Sequence, residues 1–277
     1  EDVEKKHKYK IEFETINLDF YYGFKEYLEK VGFAINTIGK FIKNIKLFMN
    51  AATELGHNSN LAYKNKRFTK LSVETDQIYL NLDELEKIIE LDLSDDLGLD
   101  NARDLFIIGA YTGLRVSDFI KLTKDNIKEF NNKRFFVVEI KKTGETLPIP
   151  IHPEVEKILK KRNGEPPKRM APQTINGHLK TIGEEAEIND VTAIKIIKGG
   201  KVINKMVKKY KLIKNHTARR SFCTNAYRSG MSTMDIMAIS GHKSEKTFYN
   251  YIRITPEDRA IKIAESPFFN PKLKVAT

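Results

Sequence analysis

The chain has 277 residues and a mass of 31.9 kDa, and its 48 Lys and Arg against 37 Asp and Glu give a formal net charge of +11. A hydrophobic share of 40% with 31% charged residues excludes a disordered chain, and no apolar run approaches the ~18 residues of a membrane span. The single cysteine, Cys223, excludes a disulfide framework and a Cys-rich zinc site and suits a reducing cytoplasm.

The first 72 residues are predicted to form a small helical domain. Apolar residues at helical spacing predict one helix over 17–30 and another over 36–52, with Asn36 and Thr37 as candidate N-caps. The polar stretch that follows, 63–76, has no sustained apolar period and is predicted to be a linker.

Residues 73–277 are predicted to form a second domain, mainly helical with small antiparallel sheets. Strand-like runs at 134–140 and 146–151 flank Gly144, and Gly199-Gly200 marks a second hairpin. Capping residues and helical periods predict the helices of this domain at 81–91, around 104–110, and at 153–161, 173–185, 216–228, 233–240 and from 244 onward. The predicted fold class is therefore α+β, mainly α.

The charges are unevenly placed in this second part. Residues 81–104 hold nine acids against two bases, whereas residues 201–220 hold eight bases and no acid. Apolar residues interleave with the bases of 201–220, which predicts a folded segment with its positive charge on one surface. With a pI near 9.4, this favours an anionic partner, nucleic acid first and a membrane surface second.

Three separated segments carry residues that suit phosphodiester chemistry. YTGLRVSD places Arg115 in the connection after a helix-ending glycine, and HTARRSF places His216 and Arg219 on one helix face. GHKSEKTFYNYI places His242 after another glycine and Tyr251 nine residues later. Each segment alone has an ordinary structural explanation, but together they supply the groups that hold and attack a phosphodiester.

In their order and separation, these segments resemble the signature boxes of the tyrosine recombinase (phage integrase) family, and several details are most similar to integrases of Bacteroides-type mobile elements. The resemblance implies a helical, SAM-like core-binding domain over residues 1–72 and a catalytic domain with a C-terminal tail over residues 73–277. Such relatives often carry a further N-terminal arm-binding domain. Because that domain and an initiator Met are both absent, we expect a processed or truncated chain.

The resemblance also implies the catalytic set: Arg115, Lys142, His216, Arg219, His242 and Tyr251. Tyr251 matches the nucleophile, with Tyr249 as its competitor, and Lys141 is the alternative to Lys142. Two guanidiniums would stabilise charge on the attacked phosphate. His216 would accept the tyrosine proton, Lys142 would protonate the leaving 5′-oxygen, and His242 would hydrogen-bond the phosphate.

The implied function is site-specific DNA recombination through a covalent 3′-phosphotyrosine. Because that intermediate stores the bond energy, we expect no ATP, metal or other cofactor. The expected partners are double-stranded DNA, three further copies of the chain on DNA (with a monomer free in solution) and an accessory DNA-bending or directionality protein. The candidate DNA-binding residues are Lys40, Lys43, Lys201, Lys205, Lys208, Lys209, Lys211, Lys214 and Arg220.

Three other functions are also compatible with these residues. A DNA-binding regulator on the same scaffold would lack strand transfer, and a type IB topoisomerase would share the covalent chemistry. A metal-dependent nuclease would use the acids of 81–104, although their helical spacing favours a solvated helix face.

Overall fold

The computed structural model describes residues 4–5, 10–73, 77–139, 144, 146–252, 256–265 and 268–269. The α-helices are α1 (Leu18–Val31), α2 (Ile35–Glu54), α3 (Leu82–Glu90), α4 (Leu97–Thr112), α5 (Val116–Phe119), α6 (Pro153–Lys161), α7 (Pro172–Glu185), α8 (Asn215–Arg228), α9 (Thr233–Ser240), α10 (Glu245–Tyr249) and α11 (Pro256–Ala264). The strands are β1 (Ile127–Phe130), β2 (Lys133–Glu139), β3 (Thr146–Pro150), β4 (Val191–Lys198) and β5 (Lys201–Lys208). This confirms the predicted class, mainly α with small antiparallel sheets.

The chain divides into two compact units. The first combines Glu1–Asp76 with Thr192–Val207, and the second combines Gln77–Val191 with Lys208–Thr277. Nearly all of the β4–β5 hairpin therefore belongs with the N-terminal helices, although more than a hundred residues separate them in sequence.

The core of the first unit lies between α1 and α2, around Ile38, Ile42 and Met49. Two further members, Tyr63 and Phe68, are fully buried, so the linker predicted over 63–76 is wrong in its first part. The Tyr63 hydroxyl donates to Asn50 Oδ1 at 2.8 Å. Two aromatic residues in irregular backbone leave no periodic signal, which explains why the pattern did not reveal them.

Helix α2 begins at Ile35, one residue before the predicted start, and its N-cap lies two residues before Asn36, the nearer of the two predicted caps. Ala34 is the N-cap, and the Asn36 side chain instead pairs with the backbone of Val73, accepting from its N at 2.9 Å and donating to its O at 3.0 Å. The same unit includes the hairpin turn at Gly199 and Gly200, whose positive φ values of 56° and 70° suit glycine. Lys198 beside this turn forms an antiparallel bridge with Ala34.

The core of the second unit surrounds α4, which is buried along most of its length. Helices α7 and α8 pack against it, and Gly109 permits the close approach, since a Cβ there would lie 3.1 Å from the Ala218 Cβ. Beside these helices lies the antiparallel sheet β1-β2-β3, in which Val138 pairs with Leu147. Strand β1 was not predicted from the sequence. No described helix is long and apolar enough to cross a membrane.

Candidate active site

Helix α8 carries the central arginine of the site. Arg219 is 1% exposed, and its Nη1 donates to the Gly113 carbonyl at 2.6 Å while its Nη2 lies 2.9 Å from His242 Nε2. Gly113 ends α4 with a φ of +67°, in the left-handed region that glycine favours. The guanidinium is therefore held at once by the end of α4 and by the turn after α9.

Arg115 stands at the N-cap of α5, two residues beyond that glycine. Its Nη1 is buried and, like Nε of Arg219, has no hydrogen-bond partner among the residues that the structure describes. A buried donor left unpaired costs about 1–3 kcal/mol, so such groups in one site indicate an occupant that accepts hydrogen bonds. Two guanidiniums favour an anion, and a phosphate suits their fork geometry.

Tyr251 lies against these groups, just beyond α10. Its hydroxyl is 3.0 Å from His216 Nε2, its ring centroid is 4.7 Å from that of His242, and the Arg219 guanidinium carbon is 5.5 Å from the ring centroid. The competing Tyr249 is 43% exposed and its ring contacts Phe248. The fold thus brings Tyr251 to the histidine and the arginines.

Both histidines have strongly lowered pKa values. Desolvation, followed by the charges of Arg220, Arg219 and Arg115, lowers the pKa of His216 to about 4. Desolvation, followed by Arg219 and Arg115, lowers the pKa of His242 to about 3. Both rings are therefore neutral at pH 7, and His216 Nε2 can accept the hydroxyl proton of Tyr251.

His242 makes hydrogen bonds through both of its ring nitrogens. Since a guanidinium only donates, His242 Nε2 must accept from Arg219, and we assign the ring proton to Nδ1 from this network. Nδ1 lies 2.7 Å from Ser240 Oγ. Both ring nitrogens are thus engaged within the protein, and His242 orients Arg219 in this arrangement. Ser240 was not singled out from the sequence, where a serine at a helix end carries no distinctive signal.

The candidate DNA-binding residues fall into several environments. Most are exposed lysines, which lie on α2, on β5 and in the segment before α8: Lys40, Lys43, Lys201, Lys205, Lys208, Lys211 and Lys214. Arg220 is half-buried, with its guanidinium carbon 5.9 Å from the Tyr251 ring centroid, so it lies at the active site. Lys209 differs from the other lysines, because its ammonium donates to both carboxylate oxygens of Glu84 at 2.6 and 2.7 Å.

Lys142 and its alternative Lys141 lie outside the described residues. Of the acids in 81–104, Asp100 and Asp104 have largely buried side chains, which form ion pairs with Arg103 of α4 and with Lys161 and Arg162. In the described part of the chain, no three His, Cys, Asp or Glu residues are grouped so that they could hold a metal ion.

The Phage integrase family profile matches residues 79–258, and the Phage integrase SAM-like domain profile matches residues 3–70. No curated protein sequence matches this one. The fold resembles the Tn1549 transposon integrase solved with circular intermediate DNA, at a TM-score of 0.65 and 15% identity over 96% of this chain and 90% of that one.

Two further solved structures share the fold. A lambda integrase dimer bound to a core site has a TM-score of 0.63 and 15% identity over 91% of this chain and 85% of that one. The XerH site-specific recombinase in a post-cleavage complex has a TM-score of 0.51 and 16% identity, over 71% of this chain and only 55% of that chain's length. Since the first profile alone matches well over half of the sequence, the chain belongs to the phage integrase, or tyrosine recombinase, family.

Proposed function

We propose that this protein is a site-specific DNA recombinase that cleaves and rejoins duplex DNA through a 3′-phosphotyrosine on Tyr251. The observation that carries the proposal is the 3.0 Å contact between the Tyr251 hydroxyl and His216 Nε2, beside two arginines that keep unpaired buried donors. A nucleophile within hydrogen-bond reach of its base, next to donors aimed at an anion, is the arrangement that phosphoryl transfer needs.

The reaction follows from these positions. Arg115 and Arg219 would bind the non-bridging oxygens of the scissile phosphodiester and stabilise the charge that grows there. His216 takes the proton from the Tyr251 hydroxyl as its oxygen attacks phosphorus, and the bond from phosphorus to the 5′-oxygen breaks. That oxygen takes up a proton, for which Lys142 is the candidate donor. Attack of another 5′-hydroxyl on the phosphotyrosine reverses these steps and rejoins the DNA.

The direct test is covalent trapping. With a nicked suicide substrate, we expect the wild-type chain to form a DNA adduct that survives denaturant, and we expect the same yield in EDTA without ATP. Tyr251→Phe should form none, and Tyr249→Phe should form the wild-type amount. An adduct that persists in Tyr251→Phe and disappears in Tyr249→Phe would overturn the nucleophile assignment.

The same experiment separates the other functions. A DNA-binding regulator would form no adduct. The presence of Tyr251 and the arginines in one site argues against that function, because a regulator does not need them. A nuclease would lose cleavage in EDTA, but two of its candidate acids, Asp100 and Asp104, are already engaged in ion pairs. A topoisomerase would relax supercoiled DNA without joining two separate sites, so a two-site joining assay distinguishes it from a recombinase.

The proposal extends to domains and element type. Residues 1–72 would form the core-binding domain and residues 73–277 the catalytic domain, both on double-stranded DNA. A mobile-element integrase of the Bacteroides type fits the residue pattern of the three motifs. Integration of an excised circular element into a target DNA would support this assignment, and activity confined to inversion would contradict it.

The assembly on DNA would be a tetramer held by the C-terminal tail. Helix α11 exposes Ile261 and Ile263, and Phe268 beyond it is also exposed. The second unit has an apolar cavity of about 400 Å³, with Leu85, Phe222 and Ile239 among its lining. We propose that the tail of one protomer fills this cavity in the next. Sedimentation of the DNA complex should show four protomers, and a chain ending at residue 255 that still forms tetramers would contradict tail exchange.

A further inference from the structure

Ser240 is the last residue of α9 and lies directly behind the active site. It is 1% exposed, and Gly241 follows it with a φ of +66° and ends the helix. Its Oγ lies 2.6 Å from the Ile236 carbonyl oxygen and 2.7 Å from His242 Nδ1. The hydroxyl therefore faces one group that can only accept a hydrogen bond and one whose role depends on its tautomer, and the Cys223 thiol is a further hydrogen-bonding neighbour.

The hydrogen bonds that join five atoms, from the Ile236 carbonyl oxygen to Arg219 Nη2, fit one arrangement of protons on a neutral imidazole. The Ile236 carbonyl accepts the serine proton, which leaves Oγ as the acceptor for His242 Nδ1–H. Nε2 is then unprotonated and accepts from Arg219 Nη2 at 2.9 Å. The other tautomer would produce two clashes. At Nε2, the ring N–H and the guanidinium N–H would be two donors facing each other. At Nδ1, the unprotonated nitrogen would face a serine oxygen whose proton is already donated to the carbonyl, so two acceptors would face each other.

We propose that Ser240 is a positioning residue of the active site, which fixes the Nδ1–H tautomer of His242 and thereby the orientation of the Arg219 guanidinium. The contact of Arg219 Nη1 with the Gly113 carbonyl at 2.6 Å holds the other side of the same group. The hydroxyl of Ser240 contacts His242 and not Tyr251 among the described hydrogen bonds, so its effect passes through His242. The consequence for cleavage rests on the proposed recombinase function, whereas the tautomer does not.

The first measurement is the tautomer itself. Long-range ¹H–¹⁵N spectra of the histidine-labelled full chain distinguish the two ring protonation patterns, and His242→Gln assigns the signal. We expect the Nδ1–H form in the wild type, a shift toward Nε2–H in Ser240→Ala, and return of the wild-type pattern in Ser240→Thr, which restores the hydroxyl. An Nδ1–H signal unchanged in Ser240→Ala would overturn the proposal.

The second measurement is the rate of adduct formation at saturating DNA. Ser240→Ala should slow it about 10- to 100-fold with an unchanged dissociation constant for DNA, because a misoriented arginine weakens stabilisation of the transition state. In a His242→Gln background the same substitution should have no further effect. Full additivity in the double variant would show that Ser240 does not act through His242.

Ser221→Ala provides the matched control. Ser221 is equally buried and likewise donates to the carbonyl four residues earlier, that of Thr217 at 2.9 Å, but its Oγ also accepts from Leu80 N and not from a histidine. Its loss should lower stability and leave the His242 tautomer unchanged. If the wild-type chain forms no adduct, the recombinase proposal fails, and the tautomer measurement still decides the role of Ser240.

Discussion

The lowered pKa of His216 determines when this residue can act as a base. With a pKa of about 4, the ring is neutral in the free protein but only weakly basic, because desolvation first, and then the charges of Arg220, Arg219 and Arg115, lower the pKa. A bound phosphodiester brings a negative charge next to these guanidiniums and offsets them. We therefore expect the basicity of His216 to rise when DNA fills the site, which would couple proton removal from Tyr251 to substrate binding.

This coupling predicts a displaced pH profile. Because a general base must be unprotonated and its pKa in the free enzyme is about 4, kcat/KM for adduct formation should stay level from pH 8 to about 5 and fall below that. The corresponding fall of kcat at low pH, which reports the pKa of His216 in the DNA complex, should lie at higher pH. His216→Gln should slow cleavage roughly 10²- to 10³-fold and remove the limb. Quenched-flow trapping on denaturing gels measures both, and a kcat/KM limb at pH 6.5 would contradict the assignment.

At the scale of elements, the end of α4 contributes both to the packing of the helices and to the position of the catalytic arginines. Gly113 adopts a φ of +67°, and a Cβ built there would lie 2.4 Å from Phe222 Cδ1 on α8. Its carbonyl accepts from Arg219 Nη1, and Arg115 follows two residues later. One backbone position therefore controls the helix stop, the packing of α4 on α8 and the orientation of one arginine, with the other arginine close behind it.

Gly113→Ala should be costly for two separable reasons. The left-handed backbone costs an alanine about 1–2 kcal/mol, and overpacking against Phe222 adds about 1–3 kcal/mol. Gly230→Ala is the matched control, because Gly230 also has a positive φ, +95°, but nothing lies within 4 Å of its Cβ position. Urea unfolding should show the larger loss at Gly113 together with loss of adduct formation. Equal losses in the two variants would refute the packing contribution.

At the scale of the whole molecule, the tertiary structure redistributes the net charge of +11. Residues 1–76 hold 13 Lys and Arg against 11 Asp and Glu, while 192–207 contribute four lysines and no acid, so the first unit has a net charge of +6 and the second +5. When the linear sequence is instead divided after residue 76, nearly all of the excess positive charge falls in the second part. Each unit therefore has its own positive surplus for the DNA backbone.

The hairpin lysines give a measurable test of this distribution. If Lys201 and Lys205 each neutralise one phosphate, replacing both by alanine should reduce the slope of log K against log salt concentration by about 1.8, uniformly across DNA sequences. Lys157→Ala is the control, since its ammonium already pairs with Glu154 at 2.8 Å. Fluorescence anisotropy from 50 to 300 mM salt measures the slope, and an unchanged slope in the double variant would remove the hairpin from the DNA interface.

Local signals were sufficient for most elements. Asn81 caps α3 through a capping box with Glu84, Ser232 caps α9, and Gly113 and Gly241 end their helices as predicted. These features depend on backbone energetics within a few residues, so they can be predicted from the sequence. The shared face of His216 and Arg219 is equally predictable from the sequence, because residues three positions apart on a helix lie on the same face whatever surrounds the helix.

Contacts between distant segments were decided by tertiary packing alone. The sequence by itself determined the family, the fold class and a short set of candidate residues. The structure decided that Tyr251 rather than Tyr249 meets His216, that Lys209 is engaged by Glu84, and that Ser240 lies behind His242. The physical reason is that each of these contacts, except the local one of Ser240, joins segments tens of residues or more apart, and their distance is determined by how the core packs. For Ser240, only the burial and the partners reveal its role.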